Sequence, residues 1–227
     1  RAEAPADNLR NLVPGSGHLV HMPSHIYYRI GRYGDASKAN VLAAAVDEAY
    51  IAQCNAQGFY PASYYPHNIH FLWASASMEG RSKVAIEAGE KVASNVHLEM
   101  IEEFPGVEFF KTIPVQSLVQ FGLWDEVLSL EPPPESLEYS RGIWHYARAT
   151  AYARTGNVDA ARDERAALLP LKTATDVGFL DSLLYPATML LDIADSLALG
   201  EIAMAENDYA AAAGHFRRAV DVQDALP

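Results

Sequence analysis

A turn signature recurs along this chain: a glycine, an aromatic or apolar residue two positions on, and a small residue three further. It reads Gly31-x-Tyr33-x-x-Ala36, Gly122-Leu-Trp124-Asp-Glu-Val127 and Gly156-Asn-Val158-Asp-Ala-Ala161. Asn207-Asp-Tyr209-Ala-Ala-Ala212 repeats it with asparagine in the glycine position, and Gly80-Arg-Ser marks one more turn. The flanking stretches have helical periodicity; Ala36, Ala39, Ala43 and Val46 form one apolar stripe. Helix, turn and close-packed return helix therefore recur, and the chain is expected to be all-α. Turn residues at 31, 80, 122, 156 and 207 give spacings of 49, 42, 34 and 51. Units are placed near 17–53, 66–101, 108–131, 141–169 and 186–224.

Between the first two units lies Gly58-Phe-Tyr-Pro-Ala-Ser-Tyr-Tyr-Pro66, expected as an ordered aromatic loop over 58–66, because tyrosines at this density are rarely left in water. Pro66 then opens a helix, where its missing N–H costs nothing. A 34-residue helical hairpin is the period of tetratricopeptide repeats, and the longer spacings fit the same unit with extended helices or loops. Over nearly its whole length the chain resembles a tetratricopeptide-repeat protein of about five divergent units. That resemblance implies a superhelical stack of antiparallel hairpins in one domain, an α-solenoid. Within the class, His21-Met-Pro-Ser-His25-Ile and Pro66-His-Asn-Ile-His70-Phe-Leu resemble a bacterial subfamily rich in such histidine motifs. Pro23 and Pro114 depart from the ordinary repeat: each lies eight residues before its turn glycine, where it should bend the first helix and free a carbonyl.

Five of the eight histidines fall in two clusters. His18, His21 and His25 lie within an arc of about 60° on one helix. They stand 13, 10 and 6 residues before Gly31, while His67 and His70 stand 13 and 10 before Gly80. By the resemblance these are groove-facing positions, so all five rings are expected in one concave groove as candidate ligands of a transition metal. Seven residues of helix rise about 10.5 Å, so His18 and His25 cannot share one ion on a straight helix. One adjacent pair, His21/His25 or His18/His21, joined by His67 or His70, makes a single site. Imidazoles without thiolate suit Zn, Cu(II), Ni or Fe and not Ca or Mg. Tyr28, Tyr64 and Tyr65 are expected to cover the groove, and Arg29 to receive an anionic ligand. Glu79 and Glu108 are candidate partners that orient the rings. His97, His145 and His215 are read as ordinary satisfied polar residues, the three tryptophans as core, and Cys54 as buried and inert. The acidic residues Asp181, Asp192, Asp195 and Glu201 are read as a solvated helix face.

A net charge of −12 argues against nucleic acid and favours cationic partners or metal ions. No apolar run approaches the roughly 20 residues of a membrane span, so a soluble chain is expected, cytoplasmic or exported. One cysteine cannot make an internal disulfide. Residue 1 is Arg, and a strong helical pattern stops abruptly at Pro227, as in a fragment of a longer protein. Three functions fit these features: a repeat scaffold binding a metal ion in its groove, with or without a ligand; a metal-free module taking a peptide, protein or small molecule there; and a metal-dependent hydrolase with an open coordination position. No His-Glu-x-x-His, Gly-x-Ser-x-Gly, phosphate-loop or dinucleotide motif occurs, which weighs against an enzyme and a nucleotide cofactor without excluding the former.

Overall fold

Each turn that the signature marks is built the same way. Gly31, Gly80, Gly122, Gly156 and Asn207 have φ of 79°, 70°, 70°, 86° and 63°, the left-handed region in which a helix can end and reverse. The N–H of the next residue bonds the carbonyl five back: Arg32 to Tyr27 at 2.9 Å, Arg81 to Ala76 at 2.9 Å, Leu123 to Leu118 at 3.0 Å, Asn157 to Tyr152 at 2.8 Å and Asp208 to Ala203 at 2.9 Å. These are Schellman turns. Five residues past each turn sits a buried small side chain, Ala36, Ala85, Val127, Ala161 or Ala212, which lets the return helix approach closely.

The computed structural model describes residues 2–226 and contains helices and no strand among them. The chain divides into two compact units, Arg1–Ser117 and Leu118–Pro227. The first contains α1 (Glu3–Leu9), α2 (Gly17–His21), α3 (Pro23–Arg29), α4 (Tyr33–Cys54), a π-helical turn Tyr60–Tyr64, α5 (Tyr65–Met78), α6 (Ser82–Asn95), α7 (Leu98–Glu103) and a 3-10 segment Pro105–Thr112. In it α4 packs on α2, α3 and α5, and α6 packs on α5. Helix α8 (Ile113–Gln120) crosses the division; α9 (Trp124–Ser129), α10 (Glu138–Arg154), α11 (Val158–Leu171), α12 (Thr175–Ser182), α13 (Ala187–Ala205) and α14 (Tyr209–Asp224) follow. In the second unit α10 packs on α9, α11 and α13, and α13 on α14. No described helix is long and apolar enough to cross a membrane.

Pro23 interrupts the first helix as expected, and Met22 joins α2 to α3. Pro114 does not, because α8 begins only at Ile113 and the proline lies in its first turn, where no N–H is needed. The second unit, placed near 66–101, does not stay helical to its end: α6 stops at Asn95, with Val96 and His97 extended before α7. The aromatic loop is helical: Gly58 at φ 80° leads into the π-helical turn, and Pro66 lies in the first turn of α5. Cys54 is exposed, not buried, since it closes the last turn of α4. The tryptophans are half-buried rather than core. Trp144 carries Arg148 over its ring at 4.6 Å and donates from Nε1 to the Leu130 carbonyl at 3.3 Å. Nor is the acidic quarter a free solvated face. Asp195 is buried and pairs with Arg165 at 2.7 Å and Lys172 at 3.0 Å; Asp192 shares Lys172, and Glu201 pairs with Arg154. Asp181 accepts from the Thr188 N–H at the start of α13.

Candidate metal centre

Helices α2 and α3 run alongside α5, and their rings meet rung by rung. Tyr64 stands edge-on to His18 with centroids 4.7 Å apart; His67 meets His21 at 4.6 Å and His25 at 5.6 Å. Phe71 meets His25 at 4.4 Å and Tyr28 at 6.0 Å. Because Tyr64 at the end of the π-helical turn, then His67 and Phe71 on α5, follow in the order in which His18, His21, His25 and Tyr28 ascend α2 and α3, the helices are parallel here. The break at Met22 delivers His21 and His25 to the same rung. One nitrogen from each of His21, His25 and His67 lies within 4.8 Å of the others, a grouping able to hold a metal ion.

The hydrogen-bond network assigns the His21 tautomer. Asn40 Nδ2 donates to the Ala36 carbonyl at 2.8 Å, which turns Asn40 Oδ1 toward His21 Nδ1 at 2.6 Å. His21 Nδ1 therefore carries the proton, and its Nε2 lone pair accepts from His25 Nε2 at 2.9 Å. This is how a protein fixes a ligating imidazole, with the second nitrogen held by an oxygen behind it. Tetrahedral ligands with bonds of about 2.0–2.1 Å stand roughly 3.3–3.4 Å apart. Closing on an ion thus requires His21 and His25 to part by a few tenths of an ångström, their shared proton to move, and His67 to approach from within 4.8 Å.

Burial keeps the lone pairs available. Desolvation drives His21 from 6.5 to about 3, against the Asn40 bond, and the neighbouring rings add repulsion. His67 falls to about 4 through burial and the charges of His25 and His18. His25 is lowered by burial, then by His18 and Arg29. At neutral pH these imidazoles are uncharged, and the proton that His25 Nε2 gives to His21 Nε2 must pass to His25 Nδ1 before both Nε2 atoms can face one ion. His21 is fully buried, whereas His25 and His67 are half-buried and open the group toward solvent.

The structure brings together three of the five candidate histidines and separates the other two. His18 lies one turn down, stacked at 5.9 Å from His21. His70 turns away: it stacks on Trp73 at 5.1 Å and meets Phe109 and Phe110 at 5.5 Å and 5.7 Å. A three-residue step on a helix rotates by about 60° from a full turn, enough to point His67 at one neighbour and His70 at the next. Burial among these rings lowers His70 to about 4. Tyr28 meets Phe71 and Tyr64 meets His18, each beside rather than against the three histidines, and Arg29 is exposed at the end of α3. Tyr65 does not line it; it is buried, and its hydroxyl donates to Glu48 at 2.9 Å. Glu79 does not reach the histidines but accepts from Ser37 at 2.5 Å, and the partner role expected of it falls to Asn40.

No protein-family model and no curated protein matches this chain. The site rests on its own geometry.

Three contributors were missed. Asn40 interrupts the Ala36, Ala39, Ala43 stripe, and a polar residue in a small-residue seam is the signal that would have found it. Phe71, four residues after His67, shares its helical face. Asp47 is buried and accepts from Tyr60 Oη at 2.7 Å and Asn68 Nδ2 at 2.6 Å, tying α4 to the π-helical turn and α5. A Cβ on Gly17 would stand 1.9 Å from its carboxylate, so only glycine lets α2 lie this close. Desolvation raises the Asp47 pKa.

Proposed function

We propose that this chain is a tetratricopeptide-like hairpin scaffold whose first unit binds a transition metal ion through His21, His25 and His67. The observation that supports it most is the assigned His21 tautomer: a buried ring whose Nδ1–H is held by Asn40 while Nε2 faces two further imidazoles. Packing alone gives no reason to collect three desolvated histidines at one rung, since burying imidazole costs free energy that leucine would not. All-imidazole donation favours zinc, copper(II), nickel or iron, with zinc the natural choice for a neutral tetrahedral set. The wider repeat architecture, a stack of hairpins presenting a groove, is part of the same reading.

Elemental analysis of tag-free protein reconstituted with zinc tests it. Near-stoichiometric metal is expected in the parent and in His70→Phe, and none in His21→Ala/His67→Ala. Equal metal in parent and double variant refutes the assignment. Its absence from the parent leaves a metal-free binding module, for which a peptide screen is the measurement.

A further inference from the structure

A tetrahedral ion takes four donors, and the group supplies three. No Asp, Glu or Cys joins the three histidines among the described residues. The buried carboxylate of Asp47 is committed to Tyr60 and Asn68, and Glu79 to Ser37 and Arg81. A divalent ion on three neutral imidazoles keeps its full charge, so the missing donor is favoured if it is negative. His25 and His67 are half-buried, so the group is not sealed from solvent.

A cationic side chain follows His25 one helical turn on. Arg29 lies four residues after His25 on α3, one turn further along the same helical face. It is exposed and forms no ion pair among the described residues, whereas Arg32, three residues on, is held by Glu3, Asp7 and Asp35. In a chain of net charge −12, an unpaired arginine beside a cation site is not accounted for by general surface pairing. We propose that the fourth coordination position takes an anionic oxygen donor, a carboxylate or phosphate group on a small molecule, with Arg29 as its counter-charge. Arg29 suits either group because its planar fork matches two oxygens at once. The inference rests on the metal reading above and names what that metal would hold.

Cobalt(II)-loaded protein, followed by its visible absorption, is titrated with acetate and separately with inorganic phosphate. A saturable spectral change with at least one of them is expected, and Arg29→Ala at equal cobalt content weakens it about fivefold or more. Which anion binds more tightly separates a carboxylate from a phosphate ligand. No change with either anion overturns the proposal, as does equal affinity in Arg29→Ala. A cobalt spectrum altered by His18→Ala before any anion is added gives the fourth position to His18 and overturns it too. Failure of the parent to take up cobalt refutes the metal reading itself, and is seen before the first addition.

Discussion

Lowering the pH from 7.5 to 5.0 should destabilise the metal-free first unit steeply, and the size follows from three rings. An unfolded imidazole titrates at 6.5, while His21 is pushed to about 3 and His67 and His70 to about 4, each mainly by burial. Between these values the unfolded chain holds protons that the folded one refuses, so stability is complete above 6.5 and is lost as pH falls. Each ring contributes a slope of about 1.4 kcal/mol per pH unit, about 4 for three, and about 6 kcal/mol is lost by pH 5.0. That is comparable to the whole stability of an ordinary domain, about 5–15 kcal/mol. Asp7 and Asp35, held low by Arg32, titrate below this window, and Asp47, raised by burial, works in the opposite direction. His70→Phe isolates one ring, since phenylalanine suits a site made by Trp73, Phe109 and Phe110. The assay is urea unfolding at several pH values with Trp124 and Trp144 replaced by phenylalanine, so that fluorescence reports Trp73. The slope should fall by about a third in His70→Phe. An unchanged slope, or a parent slope below that of one proton, refutes the claim that these rings are folded in neutral form.

Other outcomes are equally specific. Asn40→Leu leaves the His21 Nδ1–H only the longer contact to Ser24 Oγ at 3.3 Å and loosens its tautomer, so zinc affinity by calorimetric titration should drop about 10- to 100-fold; unchanged affinity would remove Asn40 from the site. Gly156→Ala, at φ 86° with open space around it, should cost about 1–2 kcal/mol in denaturant unfolding through backbone strain alone. Asp195→Ala strands Arg165 beside a buried position and leaves Lys172 to Asp192 alone, and should cost about 3 kcal/mol, measured the same way; a loss within about 0.5 kcal/mol would return the acidic quarter to ordinary surface.

Local chemistry was legible in the sequence wherever one residue decides one turn. Gly31, Gly80, Gly122, Gly156 and Asn207 could be read directly, because a left-handed helix end tolerates few other residues, and the buried small residue after each follows from hairpin packing. Pro66 and Pro23 were legible for the same reason: a missing N–H has consequences within one helical turn. The clustering of histidines on the first helices was visible as spacing. Tertiary structure alone decided which of them meet. A count back from the turn makes His67 and His70 equivalents of His18 and His21, but α5 has a neighbour on each side, and 60° of rotation sends His70 into Trp73, Phe109 and Phe110. Tyr65 and Cys54 exchanged their expected surroundings because burial depends on which helix ends beside which, and periodicity along one helix is silent on that. Asn40 and Asp47 gain their roles from groups 19 and 21 residues away, His21 and Asn68. Such pairings exist only once α4 lies against α2 and α5.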